Sequence, residues 1–293
     1  MKQTTADLIL ILIVLIWGSS YVAMKWGMDS FGIYSLIALR FSIAFCVGIL
    51  VLWPSMSKIY LHTLASSAFL GFCFFCGFIF LLVGMETSPT TSAGFLMATT
   101  IVFIPIIQAL VFHKIPNKFL IIAILLCLSG VGLLTIKEGQ TIDFGTIICL
   151  IAALCYATQI VTTKWVLSSG ENAVTIGVLQ LGFTALFAIG PAFFLEMPLQ
   201  TVTLTSGMII LYLAILCTLI GFVLQTVAQE FTSPEHTGLI FTLESVFAAL
   251  FGYLLLQEVL PLHGYIGVIL VFSGVIIAVR HGKSSGKKQN LTS

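Results

Sequence analysis

The chain has 293 residues, 12 basic and 11 acidic, so that 8% are charged and 59% hydrophobic. A soluble domain carries about 25% charge, so this composition excludes a cytosolic globular enzyme, a disordered chain and a disulfide-stapled secreted domain. A net charge of +1 supplies no basic face for a nucleic acid, which leaves lipid as the solvent.

A membrane helix needs about 20 mostly apolar residues. Ten stretches qualify, and their continuous apolarity predicts helices rather than the short alternating strands of a barrel. Span 1, Asp7–Met28, sets Trp17, Ser20, Tyr21 and Met24 on one face. Its apolar run has no cleavable-signal pattern and reads as a retained helix. Span 2, Ile33–Trp53, holds Arg40. Span 3, Leu64–Met85, carries Cys73, Cys76, Phe80 and Gly84 along one stripe. Span 4, Thr91–His113, contains Thr99 and a proline, Pro105. Span 5, Phe119–Ile136, has almost no polar residue. Span 6, Phe144–Leu167, aligns Tyr156, Gln159 and Thr163. Span 7, Val174–Leu195, holds Gln180 and Pro191. Span 8, Ser206–Glu230, repeats polar or small residues at Thr218, Gly221, Gln225 and Gln229. Span 9, His236–Leu256, contains Glu244, and span 10, Leu262–Arg280, is again nearly free of polar groups. Spans 5 and 10 therefore read as lipid-facing or dimer-forming supports.

The connections are short, with turn residues such as Trp53-Pro54-Ser55 and Thr232-Ser233-Pro234, and none can hold a soluble domain. Function must sit among the helices. Lys2, Lys58, Lys114, Lys118, Lys164, Arg280, Lys283, Lys287 and Lys288 fall on one side, and only Lys25 and Lys137 on the other. The positive-inside rule then puts both termini in the cytoplasm, with residues 282–293 as a basic tail. The seven cysteines all lie within spans, where packing explains them better than metal or redox chemistry. The five histidines stand at span ends or in loops, away from any nucleophile, which argues against a membrane-embedded enzyme. No GxxxxGK[ST] loop is present to bind ATP, and nothing calls for a cofactor or a metal.

The two halves repeat one another. Thr87-Ser88-Pro89 recurs 145 residues later as Thr232-Ser233-Pro234, and the segment from Trp17 to Trp26 matches Tyr156 to Trp165 at an offset of 139. Residues 1–138 and 143–281 thus hold five spans each. An odd number inserts the second copy from the opposite face, as in the inverted repeats of secondary transporters. The ten-helix count and three motifs resemble the drug/metabolite transporter superfamily, in particular its EamA-type members. The motifs are Trp17-Gly18-Ser19-Ser20, Thr91-Ser92-Ala93-Gly94, and Leu243-Glu244-Ser245-Val246-Phe247-Ala248-Ala249 running on to Leu254-Leu255-Leu256-Gln257-Glu258. The chain departs from that family's pattern at Ser245, where proline is common, and at His113-Lys114, where span 4 often ends in glutamate. The resemblance implies an all-α protein of ten transmembrane helices that exports amino acids or related metabolites by alternating access.

Two full charges, Arg40 and Glu244, fall well inside spans. A charge at mid-bilayer costs at least about 2.5 kcal/mol, so each is expected to face the protein interior or a water-filled path. A direct ion pair is one reading, mildly opposed by their different depths. The other is that each meets a charged group of a zwitterionic solute, or that Glu244 carries a proton. Facilitated diffusion and proton coupling are both compatible with one buried glutamate. The expected solute-binding set is Trp17, Ser20, Tyr21, Arg40, Thr99, Tyr156, Gln159, Gln180, Gln225 and Glu244. Hydrogen-bonded glue between helices competes with the cavity reading for the polar stripes, and a channel or non-transporting scaffold competes with the transporter.

Overall fold

The computed structural model describes residues 1–87, 90–113, 118–135, 144–196, 202–257 and 262–281. Lys114, Lys137, Glu258 and the basic tail lie outside them, as do the side chains of Thr91 and Ser92. Among the described residues the chain is all helical, without a strand. The helices are α1 (Gln3–Met28), α2 (Ile33–Leu52), α3 (Leu61–Thr87), α4 (Thr90–Met97), α5 (Thr100–Phe112) and α6 (Lys118–Thr135). They continue with α7 (Phe144–Ser168), α8 (Ala173–Glu196), α9 (Leu204–Tyr212), α10 (Gly221–Gln229), α11 (Pro234–Leu256) and α12 (Leu262–His281). Eight segments are long and apolar enough to cross a membrane, matching predicted spans 1–4 and 6–9. The shorter apolar stretches Lys118–Gly130 and Leu262–Ile277 fall in spans 5 and 10.

Two spans are not regular α-helix. Span 4 breaks at Ala98–Thr99 between α4 and α5. There the amides of Thr99, Ile101 and Val102 bond carbonyls three residues back, at 2.9–3.2 Å. The Thr99 and Thr100 hydroxyls take the Leu96 and Met97 carbonyls at 2.6 Å. The Thr100 hydroxyl thus takes the Met97 carbonyl, which a regular helix would have paired with the Ile101 amide. Pro105 lies inside α5, and Pro191 sits within an unbroken α8. Span 8 contains a π-helical segment, Leu213–Ile220, between α9 and α10. Such segments are rare and cluster at functional sites.

The neighbours follow a pattern. α1 packs on α11 and on span 8, α2 on α8 and on span 8, α3 on α7 and α8, α7 on span 4, α11 on span 4, and α6 on α12. Close approach is written into small residues. At Gly71 an added Cβ would stand 2.8 Å from the Gln180 carbonyl and 3.0 Å from the Thr184 amide, both on α8. Thr184 donates across this contact to the Gly71 carbonyl at 3.1 Å. Small residues serve here because lipid offers no hydrophobic drive for helix association, and backbones must come near to gain packing. The outward surface carries exposed Leu50, Leu110, Leu186, Phe194 and Leu262, an apolar belt suited to acyl chains.

Polar contacts tie helix ends at both faces. At one face, the Tyr34 and Ser35 amides donate to the Glu196 carboxylate at 3.0 and 2.7 Å, so the end of α8 caps the start of α2. At the other, the Ser57 amide beyond α2 donates to Thr175 Oγ1 at the start of α8, at 2.9 Å. Thr63 donates to Glu171 and Lys164 to the Gln229 and Glu230 carbonyls at that same end. His236 Nε2 meets Asp7 Oδ1 at 3.2 Å, both buried. His236 stands at a span end, as its position suggested, but is buried there. The α5 and α11 helices both end on a non-glycine residue with left-handed backbone, His113 at φ 52° and Gln257 at φ 56°.

Candidate functional site

The interior opens into a narrow cavity of about 40 Å³. Six of the ten expected residues stand on its wall: Trp17, Ser20 and Tyr21 from α1, Arg40 from α2, Tyr156 from α7 and Glu244 from α11. Met24, Cys73, Phe74, Phe78, Met97 and Phe222 complete most of the lining. The α1 face predicted from helical spacing is the face that lines the cavity.

Arg40 is 3% exposed. Its Nε donates to Thr218 Oγ1 in the π-helical segment, and Nη1 lies 3.3 Å from Met24 Sδ. The guanidinium carbon sits 4.7 Å from the Phe78 ring centroid and 5.6 Å from that of Phe41. Aromatic faces and a sulfur therefore hold the cation. Among the described residues the acid–base contacts within 4 Å are His62–Glu171 and His236–Asp7. Arg40 and Glu244 thus line one cavity without forming a direct pair, as their different depths suggested.

The π-helical segment is what brings the first half of the chain to this site. Thr218 Oγ1 donates to the Leu213 carbonyl five residues back, at 2.8 Å, while accepting from Arg40. The Trp17 indole donates to the Cys217 carbonyl at 2.8 Å. Gly221, one residue beyond the segment, leaves room for that indole: a Cβ there would come within 2.6 Å of Nε1. Trp17 also lies against Phe222 at 4.8 Å and Phe241 at 5.3 Å between ring centroids, and Phe74 packs on Phe222 at 4.5 Å. These spacings are those of favourable edge or offset contacts.

The other four expected residues lie off the cavity wall. Thr99 is half-buried at the break in span 4, its hydroxyl on the Leu96 carbonyl. Gln159, Gln180 and Gln225 bond one another. Gln159 Nε2 donates to Gln180 Oε1 at 3.1 Å and to Thr163 Oγ1 at 3.0 Å. Gln180 Nε2 donates to Thr226 Oγ1 at 3.0 Å, and Gln225 Nε2 to Gln159 Oε1 at 3.4 Å. The Tyr156 hydroxyl, on the cavity wall, donates to Gln225 Oε1 at 3.2 Å and links this cluster to the cavity. Spacing placed Thr218 on the polar stripe of span 8 but gave no sign of its bond to Arg40. Phe78 and Met97 carried no polar signal at all.

Comparison with known proteins gives a consistent picture. The model of the EamA-like transporter family matches residues 4–136 and again 143–280. An uncharacterized transporter of Archaeoglobus fulgidus is 30% identical over 285 residues, covering 94% of this chain and 86% of that one. The uncharacterized transporter YetK of Bacillus subtilis is 25% identical over 95% of this chain and 88% of its own. Protein PecM of Dickeya dadantii is 31% identical over 51% of this chain and 52% of its own. A crystal structure superposes with a TM-score of 0.75 over the whole of both chains, at 17% identity, a likeness of fold alone.

Proposed function

Because the chain belongs to the EamA-like transporter family, we propose that it is a secondary transporter exporting a small organic metabolite, an amino acid or related compound, across the cell membrane. The observation that carries the reading is a buried guanidinium on a cavity wall with, among the described residues, no carboxylate within 4 Å, sharing that wall with a half-buried carboxyl. A buried charge left without a partner is strongly unfavourable. Arg40 is held by Thr218 and Phe78, and Glu244 by the Tyr21 hydroxyl; a solute carboxylate at Arg40 and a solute ammonium, or a proton, at Glu244 would supply the opposite charges. The aromatic lining would take the apolar remainder.

Alternating access follows from two inverted five-helix repeats, residues 1–138 and 143–281, which together make ten transmembrane helices. The neighbour pattern supports this. Exchanging span 1 with 6, 2 with 7, 3 with 8, 4 with 9 and 5 with 10 turns the α1–α11 pair into α7 with span 4. It turns α3–α8 into α2 with span 8, and α3–α7 into α1 with span 8. The twofold match of the family model supports it as well. Both termini are assigned to the cytoplasm from the lysine and arginine asymmetry.

The test is counterflow in proteoliposomes across a panel of amino acids and aromatic metabolites, with and without a pH gradient. Saturable counterflow of one solute, lost in Arg40→Met, supports the carrier. Non-saturating flux, or none for a folded chain, refutes it, the former in favour of a channel.

A further inference from the structure

Connectivity and end contacts sort the helix ends between two faces. The end of α1, the start of α2 and the end of α8 share one face, where Glu196 caps α2. The end of α2 and the starts of α3 and α8 share the other, where Ser57 meets Thr175 and Thr63 meets Glu171. The end of α7 and the end of α10 meet at this second face through Lys164. The cavity leans toward the first face, because its α1 residues run from Trp17 to Met24 in a helix ending at Met28. The glutamine cluster leans toward the second. Gln159 and Thr163 approach the end of α7, and Gln225 and Thr226 the end of α10. Arg40 lies seven residues into α2 and Gln180 seven residues into α8, so they stand at equal depth, about 10 Å, from opposite faces.

Gln159, Thr163, Gln180, Gln225 and Thr226 are 0% exposed and draw α7, α8 and α10 together. One helical turn beyond Gln225, on the same stripe, is Gln229, which is 1% exposed with neither amide atom hydrogen-bonded. The buried Thr232 hydroxyl, three residues further, has no hydrogen-bond partner either. Structural glue satisfies its polar groups, whereas an orphaned buried amide is costly. A polar track thus runs from the Tyr156 hydroxyl through the glutamine cluster to groups that lack partners in this conformation. We infer that the Gln159–Gln180–Gln225 cluster is the closed gate between the cavity and the second face, and that, once parted, it lines the passage through which the solute crosses to that face.

The chemistry fits a gate. Neutral amide bonds between membrane helices are individually weak, and water entering the opening replaces each one. The residue at Arg40's depth from the opposite face is Gln180, a neutral group. A solute carboxylate moving past it meets donors without being trapped by a second buried cation.

This inference rests on the transporter reading, but its test needs no transported solute, so the two can fail separately. Met97 lines the cavity and is half-buried. Met97→Cys in the full chain, reconstituted in vesicles of known sidedness, is treated with a membrane-impermeant methanethiosulfonate from each side. Labelling of the parent chain is subtracted. The expected result is reaction from the first face only. Adding Gln180→Ala, which removes two bonds of the cluster, raises the rate from the second face about tenfold, the factor that about 1.4 kcal/mol of lost closure gives. Unchanged sidedness in a folded Gln180→Ala chain overturns the inference and leaves the cluster as glue. Should that variant not fold, Thr226→Val, which at nearly constant volume deletes the bond from Gln180 and the hydroxyl's own bond to the Phe222 carbonyl, is read by the same criterion.

Discussion

Replacing Arg40 by methionine separates a residue kept for solute from one kept for stability. The side chain of Met is apolar and nearly as long, so it fills most of the space between Phe78 and Met24. The variant loses the bond from Nε to Thr218, about 1.5–3 kcal/mol for a charged donor. It also loses the contact with the Phe78 face, about 1–2 kcal/mol. Against this, it no longer holds a cation at depth, a cost of at least about 2.5 kcal/mol. Thr218 is not orphaned, since its hydroxyl still donates to the Leu213 carbonyl. The opposing effects cancel to within about 2 kcal/mol, so the variant should unfold in mixed micelles near the parent midpoint. Uptake of a carboxylate-bearing solute should fall about ten- to hundredfold, the value of one charge-assisted bond. A decarboxylated analogue should lose much less. A drop of more than about 4 kcal/mol in unfolding free energy, with flux per folded molecule unchanged, would show that Arg40 serves packing and refute the reasoning.

Three further outcomes follow from the packing. Gly71→Ala forces a Cβ to 2.8 Å from the Gln180 carbonyl and should cost about 1–3 kcal/mol, read as a lowered thermal midpoint, whereas Gly190→Ala, with open space around it, should not. Glu196→Ala removes the acceptor of the Tyr34 and Ser35 amides and should cost about 1–2 kcal/mol; faster hydrogen exchange confined to the first turn of α2 would locate the loss. Breaking the buried Asp7–His236 contact on one side leaves the other group uncompensated, so Asp7→Leu and His236→Leu should each cost about 3 kcal/mol or more. The double variant should recover much of that, and additive losses would show that the two groups do not interact.

Composition and periodicity were enough for the membrane, for the ten apolar runs and for the polar face of α1. They suffice because lipid demands long apolar segments, and because residues at i, i+3, i+4 and i+7 share a face whatever surrounds it. Trp17, Ser20 and Tyr21 reached the cavity on that basis. The same rule marked Gln159 and Gln225 equally well and could not tell that they face one another. Periodicity names a face but not what the opposing helix presents to it.

The remaining features are products of tertiary contact. The π-helical turn at Leu213–Ile220 has no composition signal; its place in the structure is defined by Trp17 and Arg40, which bond Cys217 and Thr218 from the other half of the chain. Asp7 and His236, read as members of span ends, meet only because α1 lies on α11. The opening count of 12 basic and 11 acidic residues was sufficient to place the chain in lipid. Only the packing decided that Arg40 and Glu244 would share a cavity without sharing a bond, because the distance between charges on two helices depends on how the helices cross and not on where each stands along its own span.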